Sequence, residues 1–498
     1  MGNIFSLVAF LIIVTALVSP LGATADGSRE NHSVHQLPNG YEVPPLWAVI
    51  PFAALLLCVA VLPLIEVAEQ WWEENRNRLF VSLFLSLLAI AYYWFFHPGV
   101  IDHSSHSPRL LTGFRAVCQV LDHALLSEYI PFIVMLFSLY VISGGIQFRG
   151  DLPAHPLTNT IFLAVGAAMA SFIGTTGAAM LLIRPLLRTN RERKYVKHTV
   201  IFFIFLVCNI GGCLLPIGDP PLFLGYLRGV PFFWTICLWP QWLAGVIILL
   251  MIYYLWDTLA YRAELRDDIK QDEIQVRGLS LRGSINFLWL LGVVMSVAFL
   301  TPDKPLLDRE NWPIVPFFLR EGLLVLFVVL SLVTTPRLVR FENRFNYTPI
   351  VEVAILFAGI FITMQVPVEI LNARGGDLQL TQPWQFFWTT GLLSSVLDNA
   401  PTYVVFFETA KTVTGDVTRI VGIPQELLVA ISLGAVFMGA CTYIGNGPNF
   451  MVKSIAQQEG VKMPGFFGYM LYSGAVLIPV FIVLTLILKF LFGRWYLI

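Results

Sequence analysis

The sequence predicts an all-α polytopic membrane protein of two inverted repeats, each with about five transmembrane helices and one re-entrant hairpin, and with broken helices at the membrane midplane. Three observations predict this class. The 498-residue chain is 57% hydrophobic and 13% charged, against about 25% charged residues in soluble proteins. It contains many apolar runs of about 20 residues, the length that crosses a bilayer. Helix-breaking residues interrupt these runs at matching positions in the two halves, a pattern typical of transporters.

The composition excludes several classes of function. A formal net charge of −1 is not that of a strongly basic nucleic-acid-binding protein, and no nucleic-acid motif is present. The six cysteines include no Cys-x-x-Cys pair, so we expect neither a disulfide framework nor a zinc site. No phosphate-binding loop is visible, so direct use of ATP is not expected. We expect no cofactor besides the ions that are transported or coupled.

Residues 1–25 are predicted to be a signal peptide. An apolar run over 3–19 is followed by the small residues Ala23-Thr24-Ala25, which are typical of a cleavage site. No Lys or Arg precedes the apolar run, so an uncleaved first helix is the alternative. The polar segment 26–45 is then expected to be external.

The remaining chain divides into two series of six apolar segments. We predict a first transmembrane repeat over 46–256, a cytoplasmic connector over 257–283 and a second transmembrane repeat over 284–498. The predicted segments are 46–66, 79–97, 129–147, 157–187, 197–228 and 232–256, and then 284–301, 319–335, 347–368, 384–410, 427–455 and 466–492.

The positive charges predict the orientation. If the fourth segment of each half is a re-entrant hairpin, each half has an odd number of spans, and the halves are inverted. The loops 67–78, 146–156, 184–198, 257–283, 336–346 and 456–465 then share one side. They carry more than half of the 31 Lys and Arg residues, which indicates the cytoplasmic side. The N-terminus and the histidine-containing stretch 97–123 are then external.

Internal similarity supports the two halves. Tyr129-Ile130-Pro131 and Tyr347-Thr348-Pro349 open corresponding helices. Ser171–Ala178 aligns with Ser395–Thr402, and Cys213–Pro220 aligns with Cys441–Pro448, which sets Asp219 opposite Gly447. The three pairs occur in the same order, and the same types of helix breaker recur.

Four interruptions are expected to form the functional site. Asp398-Asn399-Ala400-Pro401 lies inside the run 384–410, and an ionisable group at that depth costs roughly 3 kcal/mol on insertion scales, which indicates a functional role. The alternative is that Asp398 simply caps a helix that begins there. The prolines and glycines of 209–221 and 437–449 rule out continuous helices, and unwound carbonyls with Asn and Thr oxygens suit hard cations such as sodium.

We therefore predict two cation sites with Asp219 and Asp398 as the proton-carrying residues. A carboxylate that holds either a proton or a sodium ion is sufficient for exchange, and the sodium ion is predicted at Asp398, Asn399 and Asn446. The first site combines Gly174, Thr175 and Thr176 with Gly211, Gly218 and Asp219; the second combines Asp398, Asn399 and Thr402 with Asn446 and Asn449.

These residues resemble the ion-transporter superfamily in its citrate-transporter-like branch, which includes NhaD-type sodium/proton antiporters, arsenite permeases and sodium/dicarboxylate symporters. The resemblance covers about residues 46–492 and rests on Gly174-Thr175-Thr176-Gly177, the Asp398–Pro401 motif and the two broken segments. It implies inverted repeats, two re-entrant hairpins, a midplane site and often a homodimer. The Asp-Asn-x-Pro form is similar to the antiporter and arsenite branches.

The predicted function is secondary active transport by alternating access in the cell membrane, the inner membrane if the source is bacterial. Sodium/proton antiport is the leading hypothesis. Sodium-coupled symport of citrate or another organic anion and arsenite-type efflux are the alternatives. The expected partners are the lipid bilayer and a small inorganic cation or organic anion, without nucleic acid. The enzyme alternative, an intramembrane aspartyl protease, requires Asp219 and Asp398 to form a hydrogen-bonded dyad.

Overall fold

The computed structural model describes residues 42–487, apart from 103–108, 266, 268, 270–271, 273, 275–276, 303–312, 317 and 414–417. The predicted signal peptide, most of the external segment 26–45 and part of the connector 257–283 lie outside the described residues. The described chain is mostly helical and forms two compact units. The first contains the residues up to Tyr129 and Ile355–Gly375; the second contains Ile130–Ala354 and the residues from Gly376 onward.

The helices and strands follow the apolar runs. The first half contains α1 (Ile50–Val61), α2 (Glu66–Glu73), α3 (Asn75–Phe95), β1 (Val100–Asp102), β2 (Arg109–Leu111), α4 (Gly113–Leu121), α5 (Ile130–Ser143), β3 (Gln147–Asp151), α6 (Pro156–Ile173), α7 (Thr175–Thr189), α8 (Lys197–Leu206), α9 (Pro220–Leu227) and α10 (Trp239–Arg262). After the connector strand β4 (Arg277–Arg282) come α11 (Ile285–Phe299), α12 (Leu319–Thr334), α13 (Arg337–Glu342), α14 (Thr348–Thr363), α15 (Gln365–Arg374), α16 (Pro383–Val396), α17 (Asn399–Lys411), β5 (Arg419–Ile420), β6 (Ile423–Pro424), α18 (Gln425–Met438), α19 (Gly447–Gln458) and α20 (Phe466–Leu486).

Six helical stretches within the described residues are long and apolar enough to cross a membrane. The bent pair Thr348–Thr363 and Gln365–Leu378, with 42° between its parts, is a seventh candidate. The prediction of a mostly helical, multi-pass membrane protein is therefore confirmed, with six short strands in the described residues in addition to the helices. The six stretches are Leu46–Leu64, Asn75–Phe95, Gly113–Ser143, Pro156–Ile173, Phe232–Arg262 and Phe466–Leu486.

The core of the first unit is aromatic and aliphatic. Tyr92 and Tyr93 of α3 are buried together with Val117 of α4 and with Val366 and Ile370 of α15. These side chains come from helices far apart in sequence, so their packing defines the unit.

Two short helices, α8 and α18, form the interior of the second unit. Every residue from His198 to Leu206 and from Leu427 to Met438 is buried. A helix that is apolar on all sides belongs in a protein interior. Because other helices cover them, α8 and α18 do not need the length of a full transmembrane span.

The helices are interrupted at the four places that the sequence predicts. α6 and α7 are separated by Gly174, whose φ of 77° lies in the left-handed region that favours glycine. α16 ends at Val396 and α17 begins at Asn399. α8 ends at Leu206 before α9 begins at Pro220, and α18 ends at Met438 before α19 begins at Gly447. All four interruptions belong to the second unit.

Loops predicted to share the cytoplasmic side meet in the second unit. Strand β3 pairs antiparallel with the connector strand β4. Parts of 184–198, 336–346 and 456–465 line one cavity together with Phe148 of β3. The segments that the positive charges assign to one side are therefore neighbours in space.

Candidate ion-binding site

Each of the four interruptions contributes a side chain to one buried cluster. Thr175 is the first residue of α7, and Asn399 is the first residue of α17. Asp219 and Asn446 immediately precede α9 and α19. The sequence predicted two sites, whereas hydrogen bonds connect residues of both predicted sets around Asp219.

The Asp219 carboxylate is the centre of this cluster, and its side chain is almost fully buried. The Thr175 hydroxyl donates to Oδ1 at 2.9 Å, and the Asn446 amide donates to the same oxygen at 2.9 Å. The Asn399 amide donates to Oδ2 at 2.7 Å. All three donors are neutral, so these hydrogen bonds orient the carboxylate without compensating its charge.

An amide network fixes Asn446 in place. Its Nδ2 also donates to the Cys208 carbonyl at 2.9 Å. Asn209 donates to Asn449 Oδ1 at 2.8 Å, and Asn449 donates to the Gly439 carbonyl at 2.9 Å. Asn209 was not among the predicted site residues. Its signal in the sequence was an amide side chain inside an apolar run, two residues before the first glycine of the break.

The start of α7 contacts the first break through its backbone. The Thr175 N–H donates to the Gly218 carbonyl at 2.8 Å. A Cβ at Gly218 would overlap the Gly212 carbonyl, and a Cβ at Gly211 would lie 2.6 Å from the Ala167 and Leu206 carbonyl oxygens. The glycines are therefore required for close packing of backbone, and this packing positions Asp219.

The two breaks have the same local geometry. Gly445 lies against Gly439, as Gly218 lies against Gly212, with the same separation in sequence. The next residues are also alike, since Asp219 has φ −145° and ψ 143°, and Asn446 has φ −154° and ψ 139°. The geometry therefore pairs Asp219 with Asn446, whereas the alignment of the two halves paired Asp219 with the next residue, Gly447.

The side chains of Asp398, Thr402 and Thr176 make no hydrogen bond to Asp219 in the described chain. Asp398 is partly exposed and caps α17, accepting a hydrogen bond from the Ala400 N–H at 3.1 Å. Thr402 donates at 3.0 Å to the Asp398 carbonyl in its own helix. Thr176 is partly exposed beside Thr175. Among the described residues, Asp219 and Asp398 share no hydrogen bond.

The Asn399 side chain binds Asp219 through its nitrogen atom and leaves its oxygen atom unpaired among the described residues. Its Nδ2 binds Asp219, while its Oδ1 is buried and has no hydrogen-bond partner in the described chain. A buried oxygen left unpaired is costly. Together with the Asp219 carboxylate, it offers oxygen atoms of the kind that a hard cation prefers.

The fold and this centre are those of a multi-pass membrane protein with polar groups gathered at helix breaks, as in secondary transporters. A family model described as "Putative citrate transport" matches residues 41–489, and the chain belongs to this family. The resemblance to citrate-transporter-like proteins is thus confirmed, and the protein is a membrane transporter. No curated protein matches the chain.

Proposed function

We propose that the protein exchanges sodium ions for protons across the cell membrane by alternating access. The observation that carries this proposal is the buried Asp219 carboxylate, whose hydrogen-bond donors Thr175, Asn399 and Asn446 are all neutral. A charge inside a membrane protein must be neutralised or paired. Either a proton or a sodium ion can neutralise the Asp219 carboxylate, but the two cannot bind to it together.

Exchange follows because Asp219 cannot bind a proton and a sodium ion at the same time. When Asp219 binds sodium, the Asn399 Oδ1 atom supplies a second oxygen ligand, and release of sodium leaves the carboxylate to take up a proton. Asp398, at the edge of the cluster, is the second proton-carrying candidate. Asn446 lies beside the ion in this scheme, and its amide group orients the Asp219 carboxylate.

The proposed architecture is a pair of inverted repeats over 46–256 and 284–498, joined by the cytoplasmic connector 257–283, with a re-entrant hairpin in each half. Two observations support it. The breaks before Asp219 and Asn446 share their geometry, and the first residues after the two hairpin tips, Thr175 and Asn399, contact the same carboxylate. Such matched elements are expected from repeats that meet at a central site.

Sodium-coupled uptake of citrate or a related anion is the second candidate. The family description names citrate transport. In addition, the first residues of α7 and α17 and the residues that precede α9 and α19 meet at one place. Helix N-termini carry a partial positive charge that favours an anion. In this alternative the helix ends hold a substrate carboxylate, and Asp219 binds the coupling ion.

Uptake of labelled sodium and labelled citrate into proteoliposomes that contain the purified protein distinguishes the two functions. An imposed pH gradient, acid inside, drives labelled sodium into the vesicles without citrate if the protein is an antiporter. Sodium uptake that requires citrate, together with labelled citrate uptake that requires sodium, contradicts antiport and supports symport.

A further inference from the structure

A basic cavity in the second unit is separate from the Asp219 centre. Its volume is about 990 Å³, which is large enough for a drug-sized ligand. Its wall combines the end of α7 and the following loop with the α13 loop and the end of α19. Each of these segments belongs to a loop that the positive charges assign to the cytoplasmic side.

The charge of the cavity wall is strongly unbalanced. Eight of the lining residues are basic and two are acidic. Both acids are already paired, since Glu342 binds Arg149 and Glu459 binds Arg344, the latter at 3.3 Å. Arg193 is neutralised from outside the cavity by Asp257 at 2.7 Å.

Six basic residues of the wall remain without an ion pair in the described part of the chain. They come from one continuous stretch and from the loop after α19, so their charges face a common space. They are Arg184, Arg188, Arg191, Lys194, Lys197 and Lys462.

Arg184 is the most informative of these residues. Its Nε atom is buried and has no hydrogen-bond partner among the described residues. Arg188 lies one helical turn further on and donates from Nη2 to the Phe148 carbonyl at 3.2 Å, which is a neutral acceptor. Neither guanidinium group has an ion pair in the described chain, and an unpaired buried N–H group costs free energy until an acceptor binds.

The basic side chains that line the cavity indicate which class of ligand it binds. Arginine presents a planar set of N–H groups that binds phosphate oxygens in pairs. Basic pockets between transmembrane helices on the cytoplasmic side bind anionic lipid head groups. We propose that this cavity binds a phosphate-bearing anion, with Arg184 and Arg188 as its principal ligands. The phosphate belongs either to an anionic phospholipid or to a soluble phosphate compound.

The experiment is a binding measurement on the delipidated full-length protein, and transport is not required. Pyrophosphate binding is measured by calorimetry, and binding of phosphatidylglycerol is measured by native mass spectrometry with phosphatidylcholine as the neutral control. Citrate is the control for a general anion. The variants are Arg184→Gln with Arg188→Gln, the milder Arg184→Lys, and Arg262→Gln, which removes an exposed charge outside the cavity.

The expected result is binding of at least one phosphate probe that weakens by at least tenfold in the double variant, by less in Arg184→Lys and not in Arg262→Gln. Pyrophosphate binding identifies a soluble ligand; binding of phosphatidylglycerol alone identifies a lipid head group. The inference is overturned if neither probe binds, if Arg262→Gln weakens binding as much as the double variant, or if the double variant weakens citrate binding as much as it weakens pyrophosphate binding.

Discussion

Replacement of Asp219 by asparagine separates the ion-binding role of this residue from its structural role. The carboxylate accepts hydrogen bonds from Thr175, Asn446 and Asn399. An asparagine oxygen can still accept from the first two. Its amide needs an acceptor, and Asn399 can supply one by turning its Oδ1, which has no partner in the described chain. The shape and most of the hydrogen bonds therefore survive the substitution.

The electrostatic change is much larger than the structural one. A unit charge attracts a cation 4 Å away by about 4 kcal/mol at an effective dielectric constant of 20. Loss of that attraction lowers sodium affinity by up to roughly a thousandfold. Removing a buried charge that has no cationic partner also removes its desolvation cost, so we expect the thermal stability of Asp219→Asn to equal or exceed that of the wild type.

The assay measures sodium-dependent proton movement in proteoliposomes over a range of sodium concentrations, with thermal unfolding measured in parallel. Asp377→Asn is the matched control, because Asp377 is exposed. We expect the apparent sodium affinity to fall by at least a hundredfold in Asp219→Asn only. An Asp219→Asn protein that transports within threefold of wild type would refute the role of this carboxylate.

Two further predictions concern the fold. Gly218→Ala should prevent recovery of folded protein in size-exclusion chromatography because its Cβ overlaps the Gly212 carbonyl, whereas Gly447→Ala, where a Cβ has no neighbour within 4 Å, should fold normally; equal recovery would contradict the close backbone packing. The hydrogen bond from Arg149 lowers the pKa of Glu342, so its stabilising contribution is present above the unfolded-state pKa and is lost as pH falls through the folded-state pKa. Thermal unfolding at decreasing pH should show a smaller acid-induced loss in Glu342→Gln, and identical pH profiles would exclude this contribution.

The sequence predicted the interruptions well because their causes are local. Proline cannot continue a helix interior, and glycine is required where backbone approaches backbone, as at Gly218. Both effects are visible in a few adjacent letters. For the same reason Thr175 and Asn399 were recognised as residues at helix interruptions without knowledge of their partners.

The arrangement around Asp219 was less predictable because its contacts are distant in sequence. Asn399 and Asn446 lie 180 and 227 positions from Asp219, and no local pattern reports which break faces which. Thr402 makes a local contact instead, since its hydroxyl donates to the Asp398 carbonyl at the start of its own helix, as threonine commonly does. A lone polar residue in an apolar run indicates a partner but does not identify it.

The lengths of the helices could also not be predicted from the apolar runs alone. The runs 197–228 and 427–455 are as long as full spans, but each contains one short buried helix, a break and a second short helix. Burial of α8 and α18 by other helices removes the requirement to match the bilayer thickness. Hydropathy measures how apolar a run is, and it does not distinguish contact with lipid from contact with protein.

The most direct test of sodium/proton exchange is proton flux across the membrane of proteoliposomes containing the purified wild-type protein, followed with an internal pH dye. Sodium or lithium is added first, and citrate is added afterwards. The proposal predicts immediate proton movement on addition of the cation alone, with little further change when citrate follows. If neither cation alone causes proton movement, and protons or sodium ions move only after citrate is added, the proposal is contradicted. That result would identify the Asp219 centre as the coupling site of an organic-anion transporter.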